Sequence, residues 1–147
     1  MDERIKEHLK HLNKYYQLLL DAQKVPHDVF MNDPIYQGSS ERFLQLAIES
    51  CLNIGNRLIS LYQFQRSISA PETYADIFRE IRKLGVVDQE FETSLIKMAR
   101  FRNRLVHLYW EIDINAIYDF IHEHINDFKR FEKVIVEFLN TNKLGQS

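Results

Sequence analysis

Cysteine occurs once, at Cys51, so the chain cannot form an intrachain disulfide, and the simplest compartment for it is the cytosol. Proline occurs three times and glycine four times in 147 residues. That is too few for a chain of short strands and tight turns, and it favours helices. No apolar run approaches the roughly 18–20 residues that span a bilayer. The N-terminus, Met1-Asp2-Glu3-Arg4, lacks the apolar core of a signal peptide. Positive charge is not in excess either: 19 Lys and Arg stand against 21 Asp and Glu, for a net charge of −2 and a pI of about 6.3. General RNA and DNA binders carry a basic surplus or stripe, so action on nucleic acid here requires a local cleft. Glycine-rich phosphate loops and G-x-S-x-G are absent. His8 and His11 are i,i+3 neighbours, but no carboxylate or cysteine cluster completes a metal ligand set. His122 and His124 fall on different sides of a helix and read as structural or exposed.

What is present is apolar periodicity. Hydrophobic residues make up 45% and charged residues 27%, the balance of a globular chain, and the length suits one domain over residues 1–147. Ile5, Leu9, Leu12, Tyr16 and Leu19 recur at helical spacing, which predicts a first helix over about 2–24, ended by Val25-Pro26. Residues 27–39 contain Pro34 and Gly38 and read as a connection. Ser39-Ser40 offers an N-cap for a second helix over about 41–67. Its apolar surface is broad enough for contacts on several sides, and Gly55 allows a neighbouring helix to approach closely. Cys51 lies on that apolar face and reads as core. Pro71 fits the first turn of a third helix and Gly85 its C-terminal cap. Asp88 caps a fourth over about 89–106, and Asp113 a last one over about 114–139. A polar tail over 140–147 is expected to fray. The fold expected is all-α, an antiparallel bundle of about five helices.

One stretch departs from this pattern: Phe101-Arg102-Asn103-Arg104-Leu105-Val106-His107-Leu108-Tyr109. At about 100° per residue, Leu95, Met98, Ala99, Leu105 and Val106 share one arc, with Arg102 near its centre. A guanidinium cannot shed its proton, so burying it unpaired costs several kcal/mol. Arg102 therefore has an acidic partner, for which Glu49 is one candidate, or it lines a cleft that meets an anion. On a continuous helix His107 points about 140° away from Arg102, and Tyr109 returns to within about 20° of it. Convergence then needs a chain break before His107 or a second copy of the chain. Arg100, Arg102 and Arg104, with Lys97 one turn earlier, form the one dense basic cluster near candidate chemistry.

Arg102, its polar neighbour Asn103, His107 and Tyr109 resemble the HEPN superfamily, and more closely the HepT-like toxins, whose mark is R-x4-H-x-Y. The resemblance spreads over most of the chain, through Glu41-Arg42-Phe43-Leu44, Pro71-Glu72-Thr73-Tyr74, Leu84-Gly85-Val86-Val87 and Ile112-Asp113. Arg100 departs from it, standing where such toxins more often have a small residue. The resemblance implies a HEPN-like helical homodimer that brings two motif copies into one cleft. It also implies metal-independent RNA cleavage, with no cofactor, by the toxin of a toxin–antitoxin pair. The partner implied is a minimal nucleotidyltransferase that neutralises the toxin by transferring AMP to Tyr109. Such chemistry suits these residues. A histidine near neutrality can give or take a proton, and Arg102 can hold two phosphoryl oxygens. Arg102 and His107 are the expected catalytic pair, with Asn103, Arg100 and Arg104 in support. Two alternatives stay open. One is a non-catalytic module that binds nucleotide and partners a nucleotidyltransferase. The other is a structural dimer in which Arg102 pairs with a buried carboxylate.

Overall fold

The computed structural model describes residues 1–65 and 69–142, the side chain of Tyr109 excepted. Among them are seven α-helices and no strand: α1 (Glu3–Gln23), α2 (His27–Asn32), α3 (Pro34–Tyr62), α4 (Tyr74–Lys83), α5 (Gln89–His107), α6 (Ile114–Glu123) and α7 (Asn126–Thr141). A 3₁₀ turn, Tyr109–Glu111, joins α5 to α6. No helix among the described residues is long and apolar enough to cross a membrane.

Local chemistry sets most helix ends. Asp2 caps α1, accepting from the backbone N–H of Arg4 and Ile5. Thr73 and Asp76 cap α4 reciprocally, each side chain taking the other's backbone N–H, an arrangement worth about 1 kcal/mol. Asp88 caps α5 through the Phe91 N–H at 2.7 Å. Gly85 ends α4 at φ +87°, with its own N–H on the Arg82 carbonyl and the Val86 N–H on the Ile81 carbonyl. A positive φ of this size is open to glycine and strained for other residues.

Four expectations need correction. The supposed connection over 27–39 is mostly helical: α2 occupies part of it, and α3 begins at Pro34 with Asp33 as its cap. Pro34 sits in the first turn, where its missing N–H is not needed, and the helix continues through Gly38. Ser39 and Ser40 thus lie inside α3. That helix ends at Tyr62 rather than near Ser67, and residues 66–68 lie outside the described residues. The expected last helix is two, α6 and α7, parted at His124–Ile125. No glycine or proline marks that break. His124 departs from helical geometry at φ −126°, and Ile125 turns into the core at 1% exposure. The polar tail is helical to Thr141, and residues 143–147 lie outside the described residues.

The helices bury one continuous cluster that includes Leu12, Leu19, Phe30, Leu44, Cys51, Phe78, Phe91, Phe128 and Phe131. Cys51 is fully buried, which pushes its thiol well above the ordinary value and leaves it a packing residue. α1 lies antiparallel on α3, because Asp2 reaches Arg57 at one end and Tyr15 stacks on Phe43 towards the other. α4 rides closely on α3 at Gly55, where an added Cβ would fall 2.5 Å from Ile77 Cγ2. Gly55→Ala should therefore destabilise. Overpacking against a stiff, buried isoleucine costs about 1–3 kcal/mol and outweighs the roughly 1 kcal/mol of helix propensity regained. Urea unfolding of the variant should show a lower midpoint; an unchanged or higher one would mean that α4 yields freely.

Candidate active site

α5 runs unbroken from its Asp88 cap through His107, and the helix leaves its phase only at Leu108 (φ −127°, ψ 35°). Four of the five residues of the expected arc, Leu95, Met98, Ala99 and Leu105, are at 3% exposure or less, and Val106 is half-buried. Arg102 stands in that arc with 12% of its side chain exposed. It does have an acidic partner. Its Nε and Nη2 both donate to Glu49 Oε1 on α3, at 3.1 and 2.8 Å, and Gln45 Nε2 donates to the same oxygen at 3.1 Å. The guanidinium lies over the Tyr74 ring at 4.6 Å, and Nη1 reaches Asn103 Oδ1 at 3.4 Å. Arg102 is thus gripped along one edge and stacked on one face. The remaining edge points to the Asn103 side. Glu49 keeps 27% of its side chain exposed, so the pair sits at a surface margin, outside the sealed core.

Asn103 and His107 are i,i+4 neighbours on one face of α5. They line a shallow groove of about 540 Å³ with Asn56 of α3 and Pro71, Glu72, Thr73, Tyr74 and Ile77 at the start of α4. His107 is exposed at the groove wall. Tyr74 links the two halves of the site: its ring carries Arg102 and also lines the groove. The capping box at Thr73 fixes the first turn of α4, which carries Tyr74.

The other basic residues go elsewhere in this chain. Arg100 and Arg104 are each two residues from Arg102, about 200° around the helix. Both are exposed. Arg104 lines a separate cavity of about 360 Å³ between α5, α6 and α7, beside Phe101 and Phe120, whose rings stack at 4.9 Å. Arg100 and Arg104 are i,i+4 neighbours, and Lys97 lines the same cavity as Arg104, so the basic residues divide between two faces of α5, with Arg102 alone on the inner one. Tyr109 opens the 3₁₀ turn with its backbone; its side chain lies outside the described residues. No group of three or more His, Cys, Asp or Glu side chains suited to hold a metal occurs among the described residues. His122 packs on Tyr118 at 4.0 Å and meets the Gln23 carbonyl, a structural role.

Sequence reasoning did not find Asn56, Gln45 or Tyr74 as parts of this site. Tyr74 reads as an ordinary packing residue until the fold sets it against Arg102. Asn56 carried no distinct signal, since it is one of several polar residues on the outer face of α3, with Asn53, Arg57 and Ser60.

A protein-family model described as Ribonuclease HepT-like matches residues 5–135. The chain belongs to the HepT-like ribonuclease family. The mRNA nuclease HepT of Shewanella oneidensis is 28% identical over 106 residues, covering 72% of this chain and 77% of that protein. The tRNA nuclease HepT of Aphanizomenon flos-aquae is 26% identical over 139 residues, covering 95% and 87%. Among solved structures, the tri-AMPylated HEPN toxin of S. oneidensis in complex with its MNT antitoxin superposes with a TM-score of 0.83 at 23% identity, over 93% of this chain and 99% of that one. The HepT-like fold of this chain is therefore all-helical and HEPN-like.

Proposed function

We propose that this HepT-like chain is the toxin of a toxin–antitoxin pair, a metal-independent RNA endonuclease whose active site is completed by a second copy of the chain. The observation that carries this reading is the groove shared by Asn103 and His107, with Arg102 held at its margin by Glu49 and Tyr74. Because α5 continues through His107, the chain does not bend the imidazole back toward its own Arg102. A two-fold dimer would set a second His107 and Arg102 across the groove and supply the second proton carrier that one chain lacks. It would also double the cations available to a polyanion, including Arg100 and Arg104, on a protein of net charge −2.

The chemistry follows from the groups present. One imidazole takes the proton of a ribose 2′-hydroxyl, and the 2′-oxygen attacks the adjacent phosphorus. The bond from phosphorus to the 5′-oxygen breaks, and the second imidazole, protonated, delivers its proton to that leaving oxygen. Arg102 stabilises the extra charge on the phosphoryl oxygens at a partly dehydrated position, where such contacts gain most. Asn103 steadies phosphate or His107 from one turn away. The test is direct: purified protein should fragment RNA in the presence of a chelator, and RNA left intact would refute the reading.

The relatives named as mRNA and tRNA nucleases support the reaction class, and the solved toxin–MNT complex supports a minimal nucleotidyltransferase as partner. Control would then lie at Tyr109, whose phenol oxygen attacks the α-phosphorus of ATP and displaces pyrophosphate. Coexpression with the cognate nucleotidyltransferase should add adenylate mass to the chain and none to Tyr109→Phe; the same gain on that variant would exclude Tyr109. The Arg102–Glu49 ion pair also favours a second reading, in which the arginine is purely structural.

A further inference from the structure

α3 gives most of its surface to the core, yet Asn53, Asn56, Arg57 and Ser60 form a polar stripe along it at i, i+3, i+4 and i+7. Alongside, α1 places Arg4 and His8 one turn apart. These six residues line a hollow of about 230 Å³. Asn56 belongs to two walls at once, that of this hollow and that of the groove containing Asn103 and His107. The two hollows therefore adjoin, and together they trace a path from the end of α5 across α3 to the first turns of α1.

The lining has a definite chemistry. All six side chains bear hydrogen-bond donors, two are permanent cations, and no carboxylate is among them. Arg57 is held in place by Asp2: its Nε lies 3.2 and 3.3 Å from the two carboxylate oxygens, and its Nη2 lies 2.9 Å from Oδ2. The guanidinium in turn keeps the Asp2 carboxyl below its ordinary range. Arg57 Nη1 and the Arg4 guanidinium take no protein partner among the described residues. Glu7, the nearest acid in sequence to His8, lies 3.5 Å from His11 and also acts electrostatically on His8. No Phe, Tyr or Trp side chain lines the hollow, and the imidazole of His8 is the one ring among its six lining side chains.

We propose that this hollow is a second phosphate subsite, holding the backbone of the RNA strand on one side of the bond cleaved at His107. It rests on the nuclease reading given above. A polyanion reaching the groove meets a continuous run of donors in this direction. Arg4 and Arg57 take a phosphate, while the amides of Asn53 and Asn56 and the Ser60 hydroxyl suit phosphate oxygens or a ribose 2′-hydroxyl. Contacts of that kind position a strand without reading its sequence.

The test uses Arg4→Gln/Asn53→Ala, two exposed side chains that take no part in the Asp2–Arg57 pair, and the Arg4 N–H that bonds Asp2 is kept. Cleavage of an RNA dodecamer and of a dinucleotide is compared with that of the parent. Binding of the dodecamer is measured in the His107→Ala background. The double variant should bind the dodecamer about tenfold more weakly, the size of one or two lost charge-assisted contacts. Its salt dependence should fall by about one unit of slope. The loss in kcat/KM should be confined to the dodecamer and enter through KM. Unchanged dodecamer binding would overturn the subsite. So would an equal loss on both substrates, or a change in oligomeric mass, which would give this face to a second copy of the chain. If the parent binds RNA without cutting it, the nuclease reading fails, and the binding arm still decides the subsite.

Discussion

His107→Ala is expected to reduce RNA cleavage by about 10²–10⁴-fold while leaving the fold intact. The size follows from the loss of the one imidazole per chain that the groove contains, and with it both proton transfers in a symmetric dimer. The fold should persist because His107 is exposed at the last residue of α5. Substitutions at such positions usually change stability by no more than about 0.5 kcal/mol. The assay is cleavage of a labelled RNA, with helical content and unfolding midpoint measured on the same preparation. A variant that folds and cuts at the parental rate would remove His107 from the mechanism.

Arg102 requires a more careful experiment, because it has two jobs in this account. Arg102→Ala should lower cleavage by about 10²–10³-fold, the usual range for a lost donor to a developing oxyanion. It also removes the partner of Glu49 and the cation over Tyr74, so destabilisation alone could account for lost activity. Glu49→Gln/Arg102→Met separates the two effects. For a partly buried ion pair such as this one, replacing both members with neutral groups of similar size is often nearly neutral for stability, whereas removing one member leaves the other unpaired and is destabilising. The double variant should therefore unfold close to the parent, within about 1 kcal/mol, and still cleave as poorly as Arg102→Ala. Parental cleavage by the double variant would make the arginine a packing device, its phosphate role void.

The parts of the fold that were legible in the sequence are those set by local chemistry. Gly85 at φ +87° ends α4, and the carboxylate of Asp88 starts α5; both come from residues within a few positions of the helix end. Gly55 signalled a close helix approach because only a missing side chain admits Ile77 there. Pro34 misled because the same residue can end one segment or open the next, and the difference lay in Asp33 acting as its cap. The break at His124–Ile125 carries no glycine or proline, and what accompanies it is the burial of Ile125 in the core.

The site divides in the same way. An arginine in the middle of an apolar arc is anomalous in one dimension, and it correctly implied a partner such as Glu49. Arg100 and Arg104 are close to Arg102 in sequence but lie on nearly the opposite face of α5, because two residues along a helix turn it by about 200°. The groove itself depends on the approach of α4 and its leading turn to α3 and α5. That geometry is long-range, so Asn56 and Tyr74 could be recognised as site residues only once the chain was folded.

The ends of the RNA fragments test the central claim most directly. Attack by a 2′-oxygen with proton transfer through two imidazoles leaves a 2′,3′-cyclic phosphate on one fragment and a 5′-hydroxyl on the other, and it proceeds in excess chelator. The account predicts those ends from the purified protein. Fragments bearing 3′-hydroxyl and 5′-phosphate ends, formed only when a divalent cation is supplied, would contradict it.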